Sequence, residues 1–148
     1  MSVVLRKAKR QEAGEIARLH REVRLRSMPY LPVVHTPEED VAFFAAVLDQ
    51  ETVWIAVEDQ RIVGFCSFRG EWLNHLYVAT QYHGFGIGTA LLAKAQEASA
   101  VLQLWTFQQN QLARRFYERR GFKNVEETDG STNEERVSDA RYIWKDAP

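Results

Sequence analysis

Between Leu73 and Leu92 the chain reads Leu-Asn-His-Leu-Tyr-Val, a short polar break, then His83-Gly84-Phe85-Gly86-Ile87-Gly88-Thr89-Ala-Leu91-Leu92. Glycine at every second position lets the main chain come very close to a ligand. The residues that follow favour helix. The loop therefore delivers a helix N-terminus, where unpaired N–H groups and the positive end of the dipole face outward. That chemistry suits an anion, above all phosphate, although a glycine turn that merely packs a helix on a sheet has the same spelling. Two phosphate loops fail on spacing. A Walker loop ends in Gly-Lys-Ser/Thr, and Gly88-Thr89 lacks the lysine; a dinucleotide fingerprint needs a further glycine where Thr89 or Leu91 stands. Nor does the neutral stretch Val101–Phe107 offer the acidic residue that would hold a ribose.

A second constellation runs Asn110-x-x-Ala113-x-x-Phe116-Tyr117-x-x-x-Gly121-Phe122. At helical spacing Asn110, Ala113 and Tyr117 share a face, with the small Ala113 leaving room for a ligand between larger groups. Gly121 suits the left-handed residue after a helix, and Phe122 the start of a strand. An amphipathic helix with an aromatic core stripe would read the same way. Upstream, Glu71 and His75 are four apart on a presumed strand, which sets them on one face unless a bulge intervenes.

Together these segments resemble the GCN5-related N-acetyltransferase (GNAT) superfamily. Its acyl-CoA loop runs Arg/Gln-x-x-Gly-x-Gly/Ala, often Arg-Gly-x-Gly-Ile-Gly-x-x-Leu-Leu after a Leu-x-Val strand. Gly84, Gly86, Ile87, Gly88, Leu91 and Leu92 occupy the matching positions, while His83 stands where the family prefers Arg or Gln. The later segment matches the family's Asn-x-x-Ala-x-x-Phe-Tyr-x-x-x-Gly-Phe. The resemblance implies acetyl transfer from acetyl-CoA, as acyl donor, to a primary amine on a small molecule or peptide, without a metal. It implies that His83, Gly84, Phe85, Gly86, Ile87, Gly88 and Thr89 cradle the pyrophosphate. Main-chain groups of Leu76, Tyr77 and Val78 would bond the pantetheine, and an N–H there would hold the oxyanion. Asn110, Ala113, Phe116 and Tyr117 would line the rest, Tyr117 giving its proton to the departing thiolate. For the base that takes the amine's proton, Glu71 is named first and His75 second. A catalytically silent acyl-CoA-binding domain and a protein-interaction module on the same scaffold remain as alternatives.

The elements that must position these residues follow from periodicity. A length of 148 residues suits one domain, and the formal charge of −1 gives no general drive toward nucleic acid. No apolar run approaches a membrane span and the N-terminus lacks a signal-peptide pattern, so a cytoplasmic protein, with a homodimer allowed, is the expectation. The single cysteine, Cys66, excludes an internal disulfide framework and reads as a buried structural thiol. His20, on the apolar face of the first helix, reads as a packed histidine rather than a ligand. Strands are expected at Val3–Lys7, Thr52–Glu58, Arg61–Phe68, Glu71–Val78, Val101–Phe107, Phe122–Thr128 and Val137–Trp144. Helices are expected at Lys9–Arg26, from Thr36 to Asp49, from Gly86 to Ser99 and from Asn110 to Arg120. The apolar segment Met28–Val34 walls either the core or a substrate pocket. This order predicts an α/β fold: one GNAT-like domain spanning residues 1–148, a mixed sheet of about seven strands flanked by about four helices.

Overall fold

The computed structural model describes residues 2–147. Its strands are β1 (Val4–Lys7), β2 (Thr52–Glu58), β3 (Arg61–Arg69), β4 (Trp72–Val78), β5 (Val101–Phe107), β6 (Lys123–Glu127) and β7 (Asp139–Lys145). Its helices are α1 (Ala13–Ser27), α2 (Pro37–Gln50), α3 (Ile87–Ala98) and α4 (Gln111–Glu118), with short 3-10 turns at Arg10–Glu12 and Thr80–Tyr82. The sheet order is β1-β2-β3-β4-β5-β7-β6, so the α/β arrangement expected from sequence is the one observed. Arg10–Glu12, capped by Lys9, forms a 3-10 turn instead of opening the first helix directly.

Local chemistry explains the boundaries. Thr36 caps α2 through a capping box with Glu39, and Pro37 takes the first helical position, where its missing N–H costs nothing. Asp59 and Gln60 both adopt positive φ between β2 and β3, the twist a tight hairpin requires. At the end of α4 Gly121 has φ +88°, its N–H donates to the Glu118 carbonyl, and the Phe122 N–H donates to the Tyr117 carbonyl. This pair of bonds is a Schellman motif, and Phe122 packs back on Tyr117 at 5.2 Å between ring centroids.

The sheet buries apolar side chains on both faces. One face packs α3 and α4 through Leu91, Leu92, Ala95, Leu102, Leu104, Phe122 and Tyr142. The other packs α1 and α2 through Ile16, Phe44, Ile55 and Phe65. Cys66 lies fully buried between β3 and α3, and burial pushes its thiol up to about 12, as befits a structural thiol. No helix among the described residues is long and apolar enough to cross a membrane.

The feature that makes a site possible is where the sheet fails to close. β4 and β5 are parallel, and their register holds only at Trp72 opposite Gln103, where the Gln103 N–H donates to the Glu71 carbonyl at 2.6 Å. Beyond that point β5 pairs along its whole length with β7 and β4 stays with β3, so the two parallel strands part and leave a wedge.

Candidate active site

The wedge opens into a cavity of about 480 Å³. Leu73 to Val78 line one side, Leu104 to Phe107 the other, and the glycine loop and α4 close the ends. Thus one cavity gathers most of the residues singled out in the sequence: His75, Leu76, Tyr77, Val78, His83, Gly84, Gly86, Ile87, Gly88, Thr89, Asn110, Ala113, Phe116 and Tyr117. Phe85 is 60% exposed and stands outside its lining.

Gly84 and Gly86 adopt φ of +85° and +82°, a region that side-chain-bearing residues rarely enter, and a Cβ at either would meet no atom within 4 Å. Conformation and open space, not crowding, select glycine at these two positions. Gly88 is different. A Cβ there would come within 3.3 Å of the Phe116 ring, so Gly88 sets the approach of α3 to α4. The first intrahelical bond of α3 runs from the Ala90 N–H to the Gly86 carbonyl, and Gly86 offers no capping side chain. The N–H groups of Ile87, Gly88 and Thr89 therefore lack helical acceptors and sit at the positive end of the dipole.

His83 is engaged by the main chain. Its Nε2 lies 2.8 Å from the Val78 carbonyl, tying the loop to the end of β4. Three arginines that the sequence reading did not single out lie closer to the role of cation. Arg115 on α4 and Arg119 and Arg120 just beyond its C-terminus line the cavity, and none forms an ion pair among the described residues. Arg120 is held in place: its Nε and Nη2 donate to the Thr89 hydroxyl at 3.1 and 2.7 Å, and its guanidinium lies 3.7 Å over the Phe116 ring. The signal was present in the sequence as Arg119-Arg120 directly before Gly121.

Main-chain direction in β4 follows from the ladder. The Ala79 N–H donates to the Val63 carbonyl, and Tyr77 pairs with Phe65. Alternation then turns the polar groups of Leu76 and Val78 toward the wedge. Tyr117 faces the same space. It is buried, edge-on to Phe116 and Phe122, and burial followed by Tyr77 and Cys66 raises its phenol above the ordinary value. Its hydroxyl has no hydrogen-bond partner among the described residues. Asn110 is used as a cap: its Oδ1 accepts from the Ala113 N–H at 3.1 Å, and its Nδ2 points at the Met28 sulfur.

The two carboxylate and imidazole candidates separate. The pairing shifts between Leu73–Phe68 and His75–Ser67, so a bulge falls at Asn74 and Glu71 and His75 do not share a face, contrary to the simple alternation. Glu71 lies in the turn before β4, exposed, accepting from the Gln103 amide at 2.6 Å, and is absent from the cavity lining. His75 points to the α1–α2 side. Its Nδ1 meets the buried Ser67 hydroxyl at 2.7 Å, and His20, Phe43, Phe44, Phe65 and Tyr77 surround the ring. Burial, then Arg24, lowers its pKa to about 4, so it is neutral near pH 7. His20, in the same aromatic cluster, is lowered by burial to about 2 and is likewise a packed neutral ring.

On the far side of His75 lies a second cavity of about 590 Å³, walled by α1, α2 and the segment that joins them. His75 and Met28 line both cavities. In the apolar segment Met28–Val34, Met28 and Leu31 are buried as core walls, while Pro32, Val33 and Val34 line the second cavity.

The chain is similar to known proteins. The family model for the acetyltransferase (GNAT) domain matches residues 49–124. The chain is 30% identical over 124 residues to the peptidyl-lysine N-acetyltransferase YiaC of Escherichia coli, a match covering 83% of this chain and 85% of that one. A GCN5-related N-acetyltransferase structure from Rhodopseudomonas palustris aligns with a TM-score of 0.82 at 22% identity, covering 98% of this chain and 96% of that one. The apo structure of YjaB from Escherichia coli aligns at 0.80 and 20% identity, covering 99% and 100%. With an anion-ready glycine loop at one end of a split parallel pair and a buried tyrosine at its side, the chain belongs to the GNAT family and is an acetyl-CoA-dependent N-acetyltransferase.

Proposed function

We propose that acetyl-CoA lies along the wedge and that a primary amine reaches its thioester from the second cavity, past His75. The pyrophosphate sits on the N–H groups of Ile87, Gly88 and Thr89, and the pantetheine bonds the cleft-facing main chain of Leu76 and Val78 as an added strand. The neutral amine forms the new C–N bond at the thioester carbon, whose oxygen takes negative charge against a β4 N–H. The C–S bond then breaks, and Tyr117 gives its proton to sulfur while the nitrogen releases one. Glu71, outside the cavity lining and bonded to Gln103, has less support for this role. We assign the hydrogen-bond acceptor for the amine to His75, fixed by Ser67 and neutral at working pH, with water carrying the proton away.

The observation that carries this reading is that Tyr117, a phenol kept protonated by burial, faces the cavity that also holds the free N–H groups of the glycine loop. The name of the Escherichia coli relative YiaC supports a lysine on a peptide as one acceptor of this kind. The test is acetyl-CoA with amines and lysine peptides, followed by thiol release and by mass of the acetylated product. Binding of acetyl-CoA without turnover of any amine would sink the reading in favour of a silent acyl-CoA-binding domain.

A further inference from the structure

The second cavity has a composition that selects among amines. Its walls are Leu25, Leu31, Pro32, Val33, Val34, Phe43 and Phe44, and Phe43 stays 53% exposed and Val33 63% exposed. Large apolar side chains left open to water at the mouth of a site are an unmet burial, and an occupant with apolar surface of its own meets it. Phe43 sits edge-on to Phe44 at 5.1 Å and to His75 at 5.8 Å, so a group resting on it lies close to the His75 ring.

The charges at the rim specify the other half of the occupant. Arg21 pairs with Asp40 at 2.7 Å and Arg24 with Glu135 at 2.9 Å, which neutralises all four. Glu39 and Glu134 remain, and they share one histidine, His35, at 3.9 and 2.5 Å. Two carboxylates against one imidazole leave the mouth negative. Both are well exposed, so they act by attracting a cation to the entrance and not by holding it tightly.

Resting on the proposed acceptor route, we infer that the acceptor is an apolar amine: an ammonium carried next to an aromatic or branched aliphatic group. That group is seated on Phe43, Val33 and Val34, and the cation is drawn in past Glu39 and Glu134. His75 and Met28 line both cavities, which puts such a group near the wedge. The selectivity is set by burial. Each roughly 55 Å² of apolar surface removed from water is worth about tenfold in affinity.

The experiment compares 2-phenylethylamine, 3-methylbutylamine, ethanolamine and N-acetyl-lysine methylamide at saturating acetyl-CoA, with parent protein and Phe43→Ser. Direct binding of 2-phenylethylamine to the protein is measured alongside by calorimetry. Phe43 is half exposed, so its replacement spares the core. The expected result is a KM at least about tenfold lower for the two apolar amines than for ethanolamine. Phe43→Ser should raise KM for the apolar amines while leaving the KM for ethanolamine and for acetyl-CoA unchanged. Equal use of ethanolamine, or an equal effect of the variant on every amine, overturns the inference. Binding of 2-phenylethylamine that depends on Phe43 but gives no acetyl transfer supports the cavity assignment and sinks only the proposed reaction; absence of both binding and transfer overturns the inference itself.

Discussion

Replacing Tyr117 by phenylalanine removes one oxygen at the place where the leaving sulfur is expected. The ring contacts at 5.2 Å to Phe116 and to Phe122 do not involve the hydroxyl, and the Schellman bond at this residue uses its carbonyl. No internal hydrogen bond of the hydroxyl is lost among the described residues, so stability should change by less than about 0.5 kcal/mol. At roughly 2–4 °C per kcal/mol for a domain of this size, Tm should move by no more than about 2 °C. Acetyl-CoA affinity should also hold, because the phosphate and main-chain contacts are untouched. Turnover should fall by about 10²- to 10⁴-fold, or some 3–5 kcal/mol of transition-state stabilisation. The assay is a single-turnover experiment with enzyme in excess, which keeps product release out of the measured rate. Burial raises this phenol above its usual value, so the parent enzyme should show no alkaline loss of rate from Tyr117 below about pH 10. A phenylalanine variant that keeps half or more of the parental single-turnover rate would refute the general-acid role and leave Tyr117 as a wall of the tunnel.

Gly86→Val should abolish the rise in Tm that acetyl-CoA gives the parent protein, since a β-branched residue resists φ of +82° and fills the open approach; an undiminished ligand-induced shift would contradict the loop assignment. Arg120→Gln should weaken CoA binding at least about fivefold and flatten its salt dependence while pantetheine affinity stays the same; equal losses for both would reduce Arg120 to a brace between Thr89 and α4. His20 and His75 have folded-state pKa values depressed to about 2 and about 4, below the ordinary 6.5, so the unfolded chain binds protons that the folded chain refuses. Their stabilising contribution is full above about pH 6.5 and is lost as pH falls toward 4, at up to about 1.4 kcal/mol per pH unit for each group. Denaturant midpoints taken from pH 7 to pH 4.5 should show this slope, and His20→Phe should reduce it; an identical slope in the variant would argue against burial of a neutral ring. His83→Ala should leave CoA affinity unchanged, because its Nε2 is engaged with the Val78 carbonyl; a several-fold loss of CoA affinity with pantetheine affinity retained would return it to the phosphate.

Much of the molecule was written locally. The capping box at Thr36, the hairpin at Asp59-Gln60, the left-handed Gly121 and the spacing of Gly84, Gly86 and Gly88 are short-range chemistry, and a chain read in order discloses them. So was the element order, because helix and strand periodicities differ. What the sequence could not determine depends on residues distant in the chain. One unpaired residue at Asn74 reversed the facing of Glu71 and His75, since a strand's alternation cannot survive an insertion that only its partner strand reveals. The wedge itself arises because β5 gives its full length to β7 and only one registered pair to β4, a competition between strands some forty residues apart. The arginines at the C-terminal end of α4 acquired a role only when the approach of Phe116 to Gly88 brought Arg120 against Thr89. Likewise the apolar segment after α1 gained meaning from α2 and β4, whose Phe43 and His75 turn it into the wall of a cavity. Capping, turns and periodicity act over a few bonds and are legible in the order of residues; strand competition and helix approach sum many weak contacts across the chain, and only the folded structure decides them.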